Sequence, residues 1–378
     1  MTQPFRFRWT GQHWDEASEN TFHATNWDAL LDVTRRLSGD AKCVFDGVYH
    51  AGGRHIVRRI AVPSRQSKWI ARIPIMPSPN PESEGSWWTS EQQFTMQSEI
   101  ATMKYIAKTT NIPVPEVFGY NICVDANPVG LPYMLMHCIE GNMLYDLGGP
   151  CILNSEQSER VRKSIASIQC QLFGASLNQI GCLVLDSSGE VGIGHLPAAF
   201  GFQGPFNLPA DYFSSWVGQN PKFKNLQHLN DLSLRHATES FPGRLGSVIH
   251  KLNANGLCGR YPVLHPDFFM HNILLNDEFE VVGVIDWEYA YSVPIGVFAA
   301  RINMFARFDS VKATLDWDDE GAQYIADVER MEGNMDLAHK LCKAITSPVG
   351  ILGVCMQLYE EGTAVPFDKV MDKIEREL

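Results

Sequence analysis

The sequence predicts an α+β protein that folds into two lobes with a cleft between them. The chain has 378 residues, which is enough for one large two-lobed domain or for two ordinary domains. Short β-like segments are concentrated in the first third of the chain, whereas helical periodicity prevails from residue 140 onward. We therefore expect a helical extension over residues 1–40, a first lobe over 41–139 and a second lobe over 140–378, with a hinge near 139–142.

The composition limits the kind of partner that the protein can have. A net charge of −12 argues against DNA or RNA, because binding phosphates requires a surface rich in Lys and Arg. The first 16 residues lack the apolar core of a secretory signal, and no run approaches the ~18 apolar residues that span a bilayer, so we expect no membrane partner. Nine cysteines without a C-x-x-C pair indicate reduced thiols and a cytoplasmic location. The oligomeric state is left open.

The first lobe reads as a small mixed β-sheet that carries one important helix. A helix over 26–38 should end at Gly39 and bury the stripe Leu30, Val33, Thr34 and Leu37. The β-like segments are 43–50, 55–62, 68–75, 112–117 and 130–139, with a loop over 76–85. Between them, Ser90 and Gln93 read as the capping box of a helix with the buried stripe Met96, Ile100, Met103 and Ala107.

The second lobe reads as mainly helical. Val161, Ile165, Ile168 and Leu172 form a helical stripe, and residues 180–194 read as a hairpin around Ser187-Ser188-Gly189. Residues 196–230 read as loop with short helices, and the last 85 or so residues are mostly helical in pattern.

Polar side chains collect in two clumps where apolar strands end. His265, Asp267, His271 and Asn272 follow the strand that ends at Leu264, and Asp286 and Glu288 follow the apolar run 281–285. Asp267, Asn272 and Asp286 should meet at the same end of one hairpin. A small set of oxygen ligands without sulfur suits Mg²⁺, which keeps waters and uses substrate phosphates as further ligands.

This pattern resembles a known family. The segment His265-Pro-Asp267-Phe-Phe-Met-His-Asn272, an H-x-D-x-x-x-x-N motif followed by Val-Ile-Asp286-Trp-Glu288, resembles the aminoglycoside phosphotransferase and choline kinase superfamily. The resemblance covers nearly the whole chain from about Cys43. It implies the bilobal protein-kinase-like fold, ATP and Mg²⁺ as cofactors, and transfer of the γ-phosphate to a hydroxyl of a small molecule such as an amino alcohol, a sugar or an aminoglycoside-like metabolite.

The resemblance also implies a role for each residue of the motif. Asp267 would be the catalytic aspartate that orients the acceptor hydroxyl, and His265 would brace its loop. Asn272 and Asp286 would hold Mg²⁺, with Glu288 as a neighbour of the metal. His271 occupies a variable position and receives no role.

The nucleotide side is expected in the first lobe. Gly52-Gly53 lies between two β segments, where backbone can close over phosphates, although it can equally be an ordinary hairpin turn. Glu99 shares the buried helical stripe and therefore needs a cationic partner, for which Arg72 is the candidate and Lys68 a substitute. The resemblance places Lys at the position of Arg72, so Arg is a departure. It also places the adenine edge at the His137 carbonyl and the Ile139 amide.

Several alternatives stay open at this point. The protein could be a kinase-fold nucleotide binder or scaffold without activity, as the departure at Arg72 suggests. His265, Asp267 and a later histidine such as His339 could form the facial triad of an iron oxygenase, although the helical pattern after residue 290 argues against it. A protein kinase proper would need a longer activation segment than the one after Asp286. The acceptor surface should come from about 195–245 and 300–360, where the acidic stretch 316–320 is either a solvated face or a cation-binding wall.

Overall fold

The structure is a computed structural model, and it describes most of the chain. The described residues are 15–77, 86–149, 152–201, 203–224, 226–253, 259–299, 306–309, 314–317, 319–331 and 335–378. Within them the chain forms an α+β fold of two lobes, of the protein-kinase-like type.

The first lobe is a five-stranded sheet flanked by helices. Its strands lie in the order β1-β2-β3-β5-β4, and every neighbouring pair is antiparallel. The elements are α1 (Glu16–Ala24), α2 (Trp27–Ser38), β1 (Val44–Ala51), β2 (His55–Val62), β3 (Ser67–Pro74), α3 (Ser90–Thr109), β4 (Val117–Asn121) and β5 (Tyr133–His137).

The alternation of side chains along β5 shows how this sheet is packed. Leu135 lies in a core that includes Leu30 of α2, whereas Met134 and Met136 lie in a second core that includes Ile100 of α3. Successive side chains of a strand point to opposite faces, so α2 covers one face of the sheet and α3 covers the other. The second core continues without a break into the other lobe. Through α3, the first lobe is therefore packed directly on the second.

Two details of the predicted helices are wrong by about one residue. In α2, Leu37 is 44% exposed and Leu31 is buried instead. In α3, the capping box joins Thr89 and Gln92 rather than Ser90 and Gln93, because the Thr89 side chain accepts from the Gln92 amide.

The same shift appears further along α3, where Ala107 is exposed and Ile106 is buried. A helical stripe is about 100° wide, so a shift of one residue at its edge is invisible in the sequence pattern. Most of the predicted loop over 76–85 lies outside the described residues. Of the predicted strand over 112–117, only Val117 belongs to a strand.

The second lobe is larger and mainly helical. The elements are β6 (Asn142–Met143), α4 (Ser155–Gly174), β7 (Ser176–Leu177), β8 (Gly181–Leu185), β9 (Val191–Gly194), α5 (Pro209–Gly218), α6 (Leu232–Val248), β10 (Tyr261–Leu264), β11 (Ile273–Leu275), β12 (Val281–Val284), β13 (Tyr291–Ser292), α7 (Ile295–Phe298), β14 (Ala306–Asp309), β15 (Thr314–Trp317), α8 (Asp319–Glu329), α9 (Met335–Thr346), α10 (Leu352–Glu361) and α11 (Phe367–Glu377). The predicted stripe of α4 is buried, and β8 and β9 form the predicted hairpin. The pair β14–β15 is a hairpin in a stretch that was expected to be helical.

A sheet of three short strands places the hinge next to the β11–β12 hairpin. β6, directly after the hinge, pairs with β11, and β11 pairs with β12. A Cβ atom at Gly141 would lie 2.9 Å from the Leu275 carbonyl oxygen, and one at Gly283 would lie 2.9 Å from the Ile139 side chain. The hinge therefore lies against this hairpin at two points where there is no room for a side chain.

Seven of the nine cysteines lie in the described part of the chain. All seven are free, and only Cys123 among them is exposed. Cys151 and Cys258 lie outside the described residues.

Within the described ranges, no single helix is long and apolar enough to cross a membrane. One pair, Met335–Thr346 with Pro348–Glu361, passes that test by length and composition when taken together, and it is bent by 69°.

Substituting Gly141 by Ala should destabilise the protein. The added methyl group would meet the Leu275 carbonyl and the Val282 side chain, so we expect the free energy of unfolding to fall by about 1–3 kcal/mol. Urea denaturation measures this change. Gly243→Ala is the matched control: its Cβ meets nothing within 4 Å, and Ala favours the helix α6. Equal stability of the two variants would contradict the close packing of the hinge.

Candidate active site

A cleft of about 2160 Å³ lies between the two lobes. Nine of the ten predicted site residues line it, namely Gly52, Gly53, Arg72, Glu99, His137, Ile139, Asp267, Asn272 and Asp286. The tenth, His265, is buried behind the cleft wall at 1% exposure. The fold thus brings together residues that are more than 200 positions apart in the chain.

The loop between β10 and β11 holds Asp267 from two sides. The Nδ2 atom of Asn272 donates to the Asp267 main-chain oxygen at 2.9 Å and to its Oδ2 at 3.0 Å. His271 Nε2 donates to the same Oδ2 at 2.7 Å. The Asp267 side chain is still 53% exposed, so the carboxylate is held in place and remains accessible from the cleft.

His265 connects this loop to the strand that leads to Asp286. Its Nε2 donates to the Ile285 carbonyl at 3.0 Å, and its ring packs against Trp287 with 4.7 Å between ring centroids. Burial lowers the pKa of His265 below its usual value, although the Ile285 carbonyl and the nearby Asp286 and Asp267 oppose this. The neutral imidazole is therefore the form that the folded protein favours.

Asp286 lies at a strained position after β12. Its φ is +63°, in the left-handed region that costs a non-glycine residue energy, and Tyr289 has the same φ. Its Oδ1 accepts from Arg72 Nη2 at 3.0 Å. The strained turn thus directs the Asp286 carboxylate across the cleft toward the first lobe.

Arg72 and Glu99 form the pair that the buried position of Glu99 required. Arg72 Nη1, from β3, lies 2.5 Å from both Glu99 oxygens on α3. Burial, together with Asp286 and Glu288, raises the pKa of Glu99 to about 7, whereas Arg72 lowers it. Arg72 Nη2 also lies 3.8 Å from Glu288 Oε2, so its guanidinium faces three carboxylates. Lys68, the predicted substitute, instead forms an ion pair with Glu140 beside the hinge.

The glycine pair forms a tight turn between β1 and β2. The Gly52 amide donates to the His55 carbonyl at 2.9 Å. Neither Gly52 nor Gly53 has a positive φ, so the backbone conformation does not demand glycine here, and a Cβ at Gly53 would meet nothing within 4 Å. Within strand β1, Gly47 does have a positive φ, of +81°, and it lies beside an irregularity in the β1–β2 pairing.

The hinge presents His137 and Ile139 to the cleft. The His137 amide donates to the Glu116 carbonyl at 2.8 Å, and the Cys138 amide donates to the Lys68 carbonyl at 2.9 Å. In the part of the chain that the structure describes, the Ile139 amide forms no hydrogen bond with another residue. This is the amide to which the family resemblance assigns the binding of adenine.

An aromatic wall closes the other end of the cleft. It comes from β13, α5 and α10. Tyr212 and Trp216 of α5 and Glu360 of α10 fall within the predicted ranges 195–245 and 300–360, whereas Tyr291 of β13 lies outside both. Tyr212 and Tyr291 have their hydroxyl oxygens 3.3 Å apart, and Trp216 Nε1 donates to Glu360 Oε1 at 2.6 Å. The acidic stretch 316–320 is not among the described residues that line the cleft. Asp316 lies in β15, and Asp319 begins α8.

Sequence reasoning missed several of these residues. His271 and Arg54 were detectable in principle, because one lies inside the motif and the other directly follows Gly52-Gly53. The contact between Trp216 and Glu360 joins residues 144 positions apart, and no local pattern signals it.

The donor atoms in the cleft suit a hard cation such as Mg²⁺. Asp286 offers a carboxylate, and the Asn272 amide commits its Nδ2 to Asp267, which leaves its oxygen available. The described residues contain no preformed cluster of three His, Cys, Asp or Glu ligands. Two oxygen ligands match Mg²⁺, which takes few ligands from the protein and the rest from water and phosphate. They do not provide the two histidines and one carboxylate of the iron triad, and Asp267 contacts His271 rather than His339.

Lowering the pH should destabilise the protein through His265. Its pKa in the folded protein is below the ordinary 6.5, so below pH ~6.5 the unfolded chain binds a proton that the folded protein does not. The stabilisation is complete above pH ~6.5 and is lost as the pH falls through the lowered pKa. This one group should reduce the free energy of unfolding by up to about 1.4 kcal/mol per pH unit in that window, as urea titrations at pH 5 to 8 would measure.

His265→Asn provides the comparison, because its amide can still donate to the Ile285 carbonyl. This variant should be less stable at neutral pH but should show a shallower loss below pH ~6.5. The control is His23→Asn on the surface of α1, where the histidine side chain is 72% exposed. A slope in His265→Asn equal to that of the unsubstituted protein would show that another group causes the pH dependence.

Parts of the chain are similar in sequence to curated fungal proteins. The chain is 26% identical over 180 residues to altered inheritance of mitochondria protein 9, mitochondrial, of Komagataella phaffii, covering 46% of the chain and 27% of that protein. It is 32% identical over 90 residues to a subtelomeric hrmA-associated cluster protein of Aspergillus fumigatus, covering 24% of the chain and 17% of that protein. The chain thus spans about a quarter or less of the length of these curated relatives.

Two solved structures align over most of the chain at low sequence identity. Aminoglycoside phosphotransferase APH(4)-Ia aligns with a TM-score of 0.47 at 13% identity, covering 92% of the chain and 99% of that protein. Plasmodium vivax ethanolamine kinase aligns with a TM-score of 0.49 at 12% identity, covering 96% and 88%. The sequence model of the phosphotransferase enzyme family matches residues 65–297, which include both halves of the cleft. The chain belongs to the phosphotransferase enzyme family.

Proposed function

We propose that the protein is a Mg²⁺-dependent phosphotransferase that transfers the γ-phosphate of ATP to a hydroxyl of a small molecule. The observation that carries this proposal is that Asp267, Asn272 and Asp286 line the same cleft as the Arg72–Glu99 pair. We propose residues 41–139 as the nucleotide lobe and 140–378 as the catalytic and acceptor lobe, preceded by a helical extension over 1–40.

Asn272 and Asp286 are the residues that would hold the metal ion. When bound, Mg²⁺ supplies positive charge that stabilises the phosphate oxygens during transfer. The strained turn at Asp286 supports this role, because strain at a single residue is typical of functional positions. Gly52 and Gly53 would lie over the phosphates, and the His137 carbonyl and Ile139 amide would bind the adenine.

Asp267 would act on the acceptor. Its carboxylate accepts the proton of the acceptor hydroxyl as the new P–O bond forms and the bond from the γ-phosphorus to ADP breaks. The hydrogen bonds from Asn272 and His271 hold one carboxylate oxygen, so the other can face the acceptor. His265, buried behind the loop, would maintain this orientation without touching substrate.

The aromatic wall supports an acceptor that carries a protonated amine beside an apolar body. Tyr212, Trp216 and Tyr291 line the cleft but are only 2–3% exposed, so they provide an apolar lining, and Glu360 adds an exposed carboxylate at the edge of Trp216. A carboxylate beside an apolar lining attracts a protonated amine. The lysine and arginine residues that line the described cleft all lie in the first lobe, so this wall suits a cation better than an anion.

A second candidate is a nucleotide-binding protein without transferase activity. The observation that favours it is that the Arg72 guanidinium faces Glu99, Asp286 and Glu288, which competes with binding to phosphate. Mg·ATP binding without turnover of any acceptor would support this alternative. A cytoplasmic location stays a prediction, and the relatives with printed locations are named mitochondrial.

Substituting Asp267 or Asp286 should abolish turnover, and the reason differs between the two residues. Asp267→Asn should lower kcat by about 100- to 10,000-fold, because the amide cannot accept the proton, while Mg·ATP binding stays within about twofold. Asp286→Ala should remove the dependence of ATP binding on Mg²⁺. An ATP-consumption screen over alcohols and amino alcohols measures the first effect, and calorimetric titration measures the second.

The control for these variants is Asp336→Asn, on the surface of α9, where the aspartate is 77% exposed and pairs only weakly with Lys340. It should keep both turnover and binding. Near-normal turnover in Asp267→Asn on an identified acceptor would refute the assignment of that residue.

Removing the charge of Glu360 should affect cationic acceptors selectively. Glu360→Gln should raise KM for a protonated amino alcohol by about five- to tenfold and leave KM for a neutral alcohol unchanged. Its neighbour Glu361 lies on the same helix but does not line the cleft, so Glu361→Gln is the matched control. An equal change for charged and neutral acceptors would mean that Glu360 only supports the fold of the wall.

A further inference from the structure

Arg54 occupies a position at the tip of the glycine turn that faces the second lobe. The Ile75 amide donates to the Arg54 carbonyl at 2.8 Å, which holds the tip against the end of β3. Arg54 Nη1 lies 3.1 Å from Glu288 Oε1, and the guanidinium lies 5.0 Å from the centroid of the Tyr289 ring. The turn is thus connected to the segment that begins at Asp286.

The charges around Arg72 leave little of that guanidinium for a ligand. Both oxygens of Glu99 lie 2.5 Å from Nη1, and Nη2 faces Asp286 and Glu288. Arg72 and Glu99 are 11% and 4% exposed, so this pair is largely removed from water. Separating a buried ion pair leaves an uncompensated charge and is costly, so Arg72 stays with its carboxylates.

The other basic residues that line the described cleft are also committed elsewhere. Arg59 lies 2.5 Å from Asp46 across the β1–β2 pair, and Lys68 is paired with Glu140 at the hinge. Arg54 differs from these two residues in exposure and in partner. Its side chain is 62% exposed, against 20% for Arg59 and 37% for Lys68. Its partner Glu288 lies only two residues from Asp286. Glu288 is only 17% exposed, but Arg72 Nη2 lies 3.8 Å from its Oε2 and would remain as a cationic neighbour if Arg54 left. Because the Arg54 end of the pair is open to water, its charge is well screened, and Arg54 can exchange partners at low cost.

We propose that Arg54 binds the terminal phosphate of the nucleotide, and that Glu288 and Tyr289 hold it near that position in the nucleotide-free protein. This rests on the proposed function. The planar guanidinium can form two parallel hydrogen bonds with a phosphate, as it does with a carboxylate. Exchange of Glu288 for phosphate would draw the glycine turn over the nucleotide and release the Glu288 carboxylate beside Asp286. Arg54 thereby supplies the positive charge for the terminal phosphate, which Arg72 cannot supply because its guanidinium is held by its carboxylate partners.

The test compares ATP with ADP, because only ATP has the phosphate in question. In titration calorimetry with Mg²⁺, Arg54→Ala should raise the Kd for ATP by about tenfold and change the Kd for ADP by less than about twofold. Arg54→Lys should lie between, since an ammonium keeps the charge but loses the fork. Arg36→Ala, an exposed substitution on α2 away from the cleft, is the control and should change neither Kd.

A second measurement starts from the protein without nucleotide. There, Arg54→Ala should increase hydrogen–deuterium exchange in residues 49–56, because the contact with Glu288 that restrains the turn is lost. When ATP is then added, the protection of these residues should increase more in the unsubstituted protein than in Arg54→Ala.

The contrary outcomes are distinct. Equal weakening of ATP and ADP would show that Arg54 only shapes the turn, and unchanged ATP affinity would exclude it as a phosphate ligand. If Arg59→Ala selectively weakened the binding of ATP and Arg54→Ala did not, the cation that binds the terminal phosphate would be Arg59 on β2. A folded protein that binds neither nucleotide would overturn the proposed function, and this inference with it.

Discussion

The guanidinium of Arg72 joins the three parts of the molecule that meet at the cleft. It contacts Glu99 on α3, Asp286 after β12 and, more distantly, Glu288. Because the pair with Glu99 is almost fully buried, removing either partner would leave a charge without compensation. These ion pairs therefore help to hold the sheet of the first lobe against the hairpin of the second. Arginine is suited to this position, since one guanidinium can face several carboxylates.

A second connection lies behind the cleft and consists of hydrogen bonds to the main chain. His265 bonds the Ile285 carbonyl, and the Val284 amide bonds the Pro113 carbonyl from the first lobe. The loop that carries Asp267 and the turn that carries Asp286 are thus parts of one hydrogen-bonded unit. Precise placement of this kind is what phosphoryl transfer requires, because its catalysis consists mainly of positioning and charge stabilisation.

The two ends of the cleft differ in chemical character. The end in the first lobe is charged, with arginines facing carboxylates, whereas the other end is aromatic with a single acidic side chain, Glu360. Such a division suits a reaction between a polyphosphate and a small organic alcohol, which need opposite environments.

The sequence by itself determined the fold class and predicted that Asp267, Asn272 and Asp286 lie close together, because strand patterns and the spacing of these residues are local properties. It also required a cation for Glu99, since a buried carboxylate cannot remain unpaired. The predicted buried faces were wrong at Leu37 of α2 and Ala107 of α3, because the edge of a buried helical stripe is not sharply defined in a sequence. Only the tertiary structure decided what joins distant segments: Arg54 with Glu288, and Trp216 with Glu360. These contacts depend on how separate elements pack, and no local periodicity encodes which surfaces will meet.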